Sequence, residues 1–214
     1  MMKYDLILLD LDGTIADTDE MLVQTFYEMY DLYRGGKRSS REKIAYFSGP
    51  PIRGTLKQEF PDQDNDFMFN EFVRISWDYY PKVVKPFPHA LEVFTKIRGT
   101  GVKLGLVTGK HRLQTILCLD VIGFTPIIDF VVACDDIKNP KPNPEGINTA
   151  VEHFGIKDKK KVLYIGDNLA DYQAARNAKV DVAMVKWGPR EIKEPIEPDY
   201  WINDFNELED MINE

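Results

Sequence analysis

Cysteine is scarce in this chain, with two in 214 residues. Cys118 and Cys134 both lie in apolar surroundings and neither belongs to a Cys-x-x-Cys pair, so we expect no disulfide framework and a reducing, cytoplasmic compartment. Long apolar runs are also missing, and acidic residues interrupt the N-terminal run where a signal peptide would be apolar. The sequence therefore predicts a protein without a membrane segment.

Positive charge is in deficit, because 27 Lys and Arg face 35 Asp and Glu and the net charge is -8. This balance excludes the broad positive field of a nucleic-acid-binding protein. An anionic substrate would have to be attracted by local positive groups or by a metal ion. The hydrophobic fraction of 43% is enough for a sizeable core, and the length fits one core domain with a modest insertion.

Short apolar runs bounded by charge predict buried strands at 4–9, 102–107, 130–133, 162–165 and 182–185. Helical periodicity lies between them; Ile147, Ala150, Val151 and Phe154 share one helix face. Strands that alternate with helices predict an α/β fold with a parallel sheet covered by helices on both faces.

The segment 16–81 breaks this alternation, since no convincing strand occurs in it. Its apolar residues recur at helical spacing in two stripes: Leu22, Phe26, Met29, Tyr30 and Tyr33, then Met68, Phe72, Ile75 and Tyr79. We interpret these aromatics as core packing. The sequence therefore predicts an all-helical domain over 16–81, inserted into an α/β core domain made of 1–15 and 82–214.

The first predicted strand ends in Asp10-Leu11-Asp12-Gly13-Thr14. In open α/β sheets, ligands bind beyond the carboxyl ends of the strands. Alternation puts Asp10 and Asp12 on one side of an extended chain, where two carboxylates repel each other unless a cation lies between them. Hard oxygen ligands suit Mg²⁺. The alternative interpretation is an acidic turn in solvent.

Two later segments supply groups suited to phosphate. Thr108 and Gly109 follow the second core strand, where a hydroxyl and free backbone N–H groups can hold phosphate oxygens; a simple helix cap is the alternative. Lys141 lies between prolines ahead of a helix, and its compact charge could offset a carboxylate and a phosphate. A surface lysine is the alternative there, and Lys138 in the same loop is a competing candidate.

Two more aspartates follow the strand at 162–165. Asp167 could complete the oxygen shell of a metal ion, and Asp171, one helical turn later, could orient metal-bound water or Lys141. The alternative is that both acids complement the dipole of a helix N-terminus.

The ordered segments DLDGT (10–14), TGK (108–110), KPNP (141–144) and GDNLAD (166–171) resemble the haloacid dehalogenase-like superfamily, in its branch with a helical cap inserted after the first motif. The likeness covers essentially the whole chain. SGPP at 48–51 and GDN in the last motif are similar to phosphoglycolate phosphatases and related pyrophosphatases. The resemblance implies a Rossmann-like core and a phosphatase.

The resemblance also implies roles for individual residues. Asp10 would attack phosphorus and form an aspartyl-phosphate, and Asp12 would act as general acid and then as general base. Thr108 and Lys141 would hold the phosphoryl group, with backbone N–H groups near Leu11 and Gly109 assisting. Mg²⁺ would be bound by Asp10, the backbone carbonyl of Asp12, and Asp167.

The cap should select the substrate, a small phosphorylated molecule, because the four motifs handle only the transferred phosphoryl group. Arg53, Lys110 and His111 are candidates to bind the rest of the substrate, with solvated charges as the alternative. Hinges for cap closure are expected near 15–17 and 83–85. The sequence leaves a monomer and a homodimer equally open.

Other activities of the same superfamily differ in the residues that they require. A dehalogenase needs neither Asp12 nor magnesium, so Asp12 argues against it. A phosphonatase needs a cap lysine, and nothing distinguishes Lys37, Lys43 or Lys57. A sugar phosphomutase remains an alternative because it uses the same motifs. A non-catalytic binding protein on this fold is the other alternative, although the three acids at 10, 12 and 167 are all present.

Overall fold

The central sheet is seen in a computed structural model that describes residues 2–49, 51–188 and 191–213. In these ranges the strands are β1 (Leu6–Leu9), β2 (Ala16–Asp17), β3 (Lys85–Pro86), β4 (Lys103–Val107), β5 (Phe130–Val132), β6 (Val162–Gly166), β7 (Asp181–Val185) and β8 (Tyr200–Ile202). Six of them form a parallel sheet in the order β5-β4-β1-β6-β7-β8. All five predicted strands belong to it.

Helices cover both faces of this sheet. Over the same ranges they are α1 (Asp19–Tyr33), α2 (Arg41–Ala45), α3 (Ile52–Glu59), α4 (Asn65–Val83), α5 (Ala90–Gly99), α6 (Arg112–Val121), α7 (Glu145–His153), α8 (Leu169–Ala178) and α9 (Leu208–Ile212). Ile7 and Leu9 of β1 share a core cluster with α5, α6 and α9, whereas Leu6 and Leu8 share another with α7 and α8. Successive side chains of β1 therefore pack into the cores on opposite faces of the sheet. The predicted α/β fold is confirmed.

Helices α1 to α4 pack around a third hydrophobic cluster of their own. Phe26 is fully buried at its centre, 4.9 Å from the ring of Phe47 and 5.8 Å from that of Phe72. Both predicted aromatic stripes lie on helices, α1 and α4, and contribute to this cluster. Pro50, in the 48–51 motif, lies outside the described residues. The division into domains at 15/16 and 81/82 remains a prediction, and α4 runs on to Val83.

Two short strands connect this helical bundle to the sheet. β2 and β3 pair antiparallel, with Ala16 opposite Pro86 and Asp17 opposite Lys85. The sequence pattern predicts no strand between 16 and 81, and β2 corrects this at the first two residues of that segment. Two residues are too few for an alternating pattern to be visible. The ladder occupies the segments predicted as hinges, whose motion remains a prediction.

Strand β8, at the edge of the sheet, was not predicted from the sequence. Its three residues include Trp201, which is 39% exposed, so they do not form an apolar run. Among the described residues, none of the helices combines the length and the apolar character that a bilayer crossing requires.

Candidate active site

Three neighbouring strands end in the polar residues that the sequence singled out. Asp10 follows β1, Thr108 follows β4 and Asp167 follows β6, and β1 lies between the other two strands. Parallel strands end at the same edge of a sheet, so these side chains meet at one place. All three residues are at most 3% exposed. The strand order therefore assembles a buried polar site from distant segments.

Lys141 reaches the same place from the loop before α7. Its ammonium group donates hydrogen bonds to Asp10 Oδ1 at 2.8 Å, to Asp171 Oδ1 at 2.6 Å and to the Tyr164 hydroxyl at 3.1 Å. Burial lowers the pKa of Lys141, but attraction to the two carboxylates outweighs it and the pKa lies well above its ordinary value. The competing candidate, Lys138, donates its backbone N–H to Glu145.

The surroundings of Asp10 disfavour the ionised form of its carboxyl group. Burial raises its pKa to about 6; the Lys141 ammonium opposes the rise, and the carboxylates of Asp171 and Asp12 add to it. At neutral pH most of this side chain is still ionised. The site therefore holds a desolvated carboxylate beside a permanent positive charge.

Carboxylate oxygens of Asp10, Asp167 and Asp171 lie within 4.8 Å of one another. Asp171 is already engaged, since its Oδ1 accepts from Lys141 and Tyr164 and its Oδ2 accepts from backbone N–H groups of 167 and 168 at 3.3 and 3.2 Å. With both of its oxygens engaged in this way, Asp171 is suited to hold the Lys141 ammonium in place. A buried all-oxygen set with excess negative charge suits a hard cation such as Mg²⁺.

Asp12 has hydrogen-bond partners that differ from those of Asp10. Lys110 donates to both of its carboxylate oxygens, at 2.8 and 2.9 Å, and the Thr18 hydroxyl donates to Oδ1 at 2.6 Å. The sequence predicted one cation between Asp10 and Asp12. In the structure Asp10 contacts Lys141 and Asp12 contacts Lys110, although both aspartates line one cavity.

This cavity lies between the sheet edge and the helical bundle, with a volume of about 40 Å³. The sheet side contributes Asp10, Asp12, Thr108, Gly109, Lys110, His111 and Gln114. The bundle side contributes the apolar residues Met21, Leu22, Phe47, Ile52 and Phe72, together with Thr18, Ser48 and Gly49. The helical wall is thus largely apolar. A Cβ atom added at Gly109 would lie 2.5 Å from the Gly49 carbonyl oxygen, so the two glycines permit close contact between the walls.

The candidate substrate residues divide into two groups. Lys110 and His111 line the cavity, whereas Arg53 does not. Arg53 pairs with Asp66 at 2.5 Å and lies over the Phe69 ring at 4.1 Å. The structure therefore does not bring Arg53 to the site, because local partners on the bundle surface hold its side chain.

Thr18 and Tyr164 contact the site residues but were not predicted from the sequence. Tyr164 was part of an apolar strand pattern, and its hydroxyl donates to Asp171 at 2.9 Å inside the site. A single polar atom in an otherwise apolar strand was the available signal. Thr18 precedes α1 without capping it, so its side chain is used for Asp12 instead. The sequence around Thr18 gave no indication that its hydroxyl contacts Asp12.

A parallel sheet covered by helices on both faces, with buried acids and a lysine at its carboxyl edge, defines a Rossmann-like α/β protein with an acidic site beside a helical bundle. The family model described as haloacid dehalogenase-like hydrolase matches residues 7–185, and the chain belongs to that family. The prediction of an enzyme of this family, a phosphatase, is confirmed.

Similar proteins support the predicted branch of the family. Pyrophosphatase PpaX of Halalkalibacterium halodurans is 30% identical over 99% of this chain and 98% of its own length. Pyrophosphatase PpaX of Bacillus velezensis is 30% identical over 94% of this chain and 93% of its own length. The structure of a predicted phosphoglycolate phosphatase from Haemophilus somnus aligns over the whole of both chains with a TM-score of 0.88 at 18% identity, a likeness of fold.

Proposed function

We propose that this protein is a magnesium-dependent phosphatase that hydrolyses a small phosphate ester or pyrophosphate through an aspartyl-phosphate. The observation that carries the proposal is the contact between Lys141 and Asp10, at 2.8 Å, beside the cavity at the sheet edge. A carboxylate is a weak nucleophile towards an anionic phosphate. It becomes competent when positive charge offsets that of the phosphate and holds both reactants in line.

The first step forms a bond from an Asp10 carboxylate oxygen to phosphorus. The bond from phosphorus to the leaving oxygen breaks, and Asp12 supplies a proton to that oxygen. In the second step water attacks phosphorus and Asp12 takes a proton from the water. The bond from phosphorus to the Asp10 oxygen breaks, and its electron pair returns to the Asp10 carboxylate. Such acid and base catalysis commonly contributes about 10²–10⁴-fold in rate.

Thr108, Gly109 and Lys141 would hold the transferred phosphoryl group. Thr108 is 3% exposed and lines the cavity with Gly109, which supports contact of its hydroxyl and of nearby backbone N–H groups with phosphate oxygens. Lys141 would neutralise charge from the opposite side. Asp171 would act through Lys141, because it holds the ammonium at 2.6 Å.

Magnesium would be held by the carboxylates of Asp10 and Asp167 and the backbone carbonyl of Asp12. The buried oxygen cluster of Asp10, Asp167 and Asp171 supports this assignment. When bound, the ion supplies positive charge against the phosphate. The donor set favours Mg²⁺ over softer metals because it contains neither nitrogen nor sulfur.

The substrate would be small. The cavity at the sheet edge has a volume of about 40 Å³ in this structure, which supports a compact leaving group. Phosphoglycolate is our favoured type of substrate, with pyrophosphate beside it because the sequence relatives carry that name. A panel of phosphoglycolate, pyrophosphate, sugar phosphates and nucleotides, ranked by kcat/KM, would identify the preference.

The decisive assay is phosphate release from p-nitrophenyl phosphate with Mg²⁺. We expect turnover to disappear when EDTA is added and in Asp10→Asn, and to persist in the matched control Asp120→Asn, whose side chain is exposed. A wild-type protein inactive on this ester and on the whole panel, or an active Asp10→Asn variant, would refute the proposal.

A further inference from the structure

Lys110 lies in the loop after β4, two residues after Thr108, and its side chain turns towards Asp12. The ammonium nitrogen is 2.8 Å from Asp12 Oδ1 and 2.9 Å from Oδ2. The two side chains are 12% and 10% exposed. A lysine that served mainly to bind substrate would present its donors to the cavity, whereas this one directs two of its three donors to a neighbouring carboxylate.

The surroundings of Lys110 keep it charged and in place. Burial lowers its pKa, but attraction to Asp12 outweighs that effect and the pKa stays above its ordinary value. The ring of Tyr80, from the last helix of the bundle, has its centroid 5.8 Å from the ammonium nitrogen. Lys110 is therefore held between a carboxylate and an aromatic ring.

The two oxygens of Asp12 are not equivalent. Oδ1 accepts hydrogen bonds from Lys110 and from Thr18, which engages both of its lone pairs. Oδ2 accepts from Lys110, and within the described part of the chain no second donor to it is found. One lone pair of Oδ2 is thus available, and its direction is fixed by the bidentate contact with Lys110.

We propose that Lys110 is a positioning residue that fixes the Asp12 carboxylate so that Oδ2 takes the proton from the attacking water. This inference rests on the proposed phosphatase function. In that step the water oxygen bonds to phosphorus and its proton moves to Oδ2 of Asp12. The bond from phosphorus to the Asp10 oxygen breaks, and its electron pair returns to the Asp10 carboxylate.

The consequence is specific to the second half of the reaction. p-Nitrophenolate leaves phosphorus without needing a proton, so forming the aspartyl-phosphate does not require a well-placed Asp12. Hydrolysis of the aspartyl-phosphate does require a well-placed Asp12, because water must lose a proton in that step. Loss of Lys110 should therefore slow the second step and let the intermediate accumulate, whereas loss of a substrate-binding lysine would weaken binding and raise KM.

The test is stopped-flow kinetics of p-nitrophenyl phosphate hydrolysis with Lys110→Met, Lys110→Arg and the control Lys138→Met. For Lys110→Met we expect steady-state kcat to fall about 10–100-fold, the size of effect that misplaced catalytic groups produce. KM should fall with kcat, and a burst near one p-nitrophenolate per enzyme should precede the slow phase. Lys110→Arg should recover part of kcat, and Lys138→Met should match wild type.

Two results would overturn the inference: a raised KM with unchanged kcat, or a lower kcat without a burst in a variant that melts like wild type. If Lys110→Met does not fold, Lys110→Arg decides by the same criterion, since it keeps the charge but changes the geometry. Failure of the proposed function is distinguishable, because wild type would then release no p-nitrophenolate at all.

Discussion

Replacing Asp10 with asparagine should stabilise the metal-free protein even though it abolishes turnover. Asp10 is 3% exposed and lies among carboxylates of Asp167 and Asp171 within 4.8 Å. Lys141 is shared between Asp10 and Asp171, so this group of acids carries excess negative charge. An amide at position 10 removes one of these charges and can still accept a hydrogen bond from Lys141.

The magnitude follows from the pKa of Asp10, which burial raises from an ordinary 3.8 to about 6. A raised carboxyl pKa means that the folded state binds the proton more tightly than the unfolded state. Stability of the wild type therefore falls as pH rises between about 4 and 6. A difference of about two pH units corresponds to about 3 kcal/mol, which Asp10→Asn should regain above pH 7.

The measurement is urea denaturation of wild type and Asp10→Asn in EDTA at pH 5 and pH 7.5. We expect the variant to exceed wild type by about 1–3 kcal/mol at pH 7.5 and by less at pH 5. Asp120→Asn serves as the control, because an exposed side chain should show neither effect. An Asp10→Asn protein that is less stable than wild type at pH 7.5, or whose advantage does not depend on pH, would contradict this account of the site.

A glycine in the cavity wall and an arginine outside the cavity provide two further tests. Gly109→Ala should lower kcat/KM at least about 10-fold, because its Cβ would meet the Gly49 carbonyl oxygen at 2.5 Å, whereas Gly99→Ala, with open space around it, should retain activity. Equal activity of the two would contradict the steric argument. Arg53→Ala should leave kcat/KM near wild type and cost at most about 1 kcal/mol in thermal unfolding, since its exposed pair with Asp66 is weak; a large rise in KM would show that Arg53 reaches substrate.

The convergence of the polar residues was predictable because each follows an apolar strand. Asp10, Thr108 and Asp167 are each the first residue after a buried run, and the neighbouring positions of their strands bring them together. A lysine in this loop was predictable because prolines flank Lys141 and a helix follows it. Only the structure separates Lys141, which contacts Asp10, from Lys138, which lies three residues earlier in the same loop.

The pairing of side chains could not be predicted from the sequence. Lys110 and Asp12 are 98 positions apart, and their contact depends on the path of the loop after β4. The pattern around Lys110 is that of a polar loop, which suits a substrate contact equally well. Arg53 shows the same limitation, because its partner Asp66 belongs to the next helix of the bundle.

The position of β1 in the middle of the sheet has a consequence for biosynthesis. This strand is made first, yet both of its neighbours, β4 and β6, come from segments about 100 and 150 residues later. During translation the edges of β1 stay without their final partners until most of the chain has emerged. Appearance of catalytic turnover would thus report completion of the whole core rather than of any early fragment.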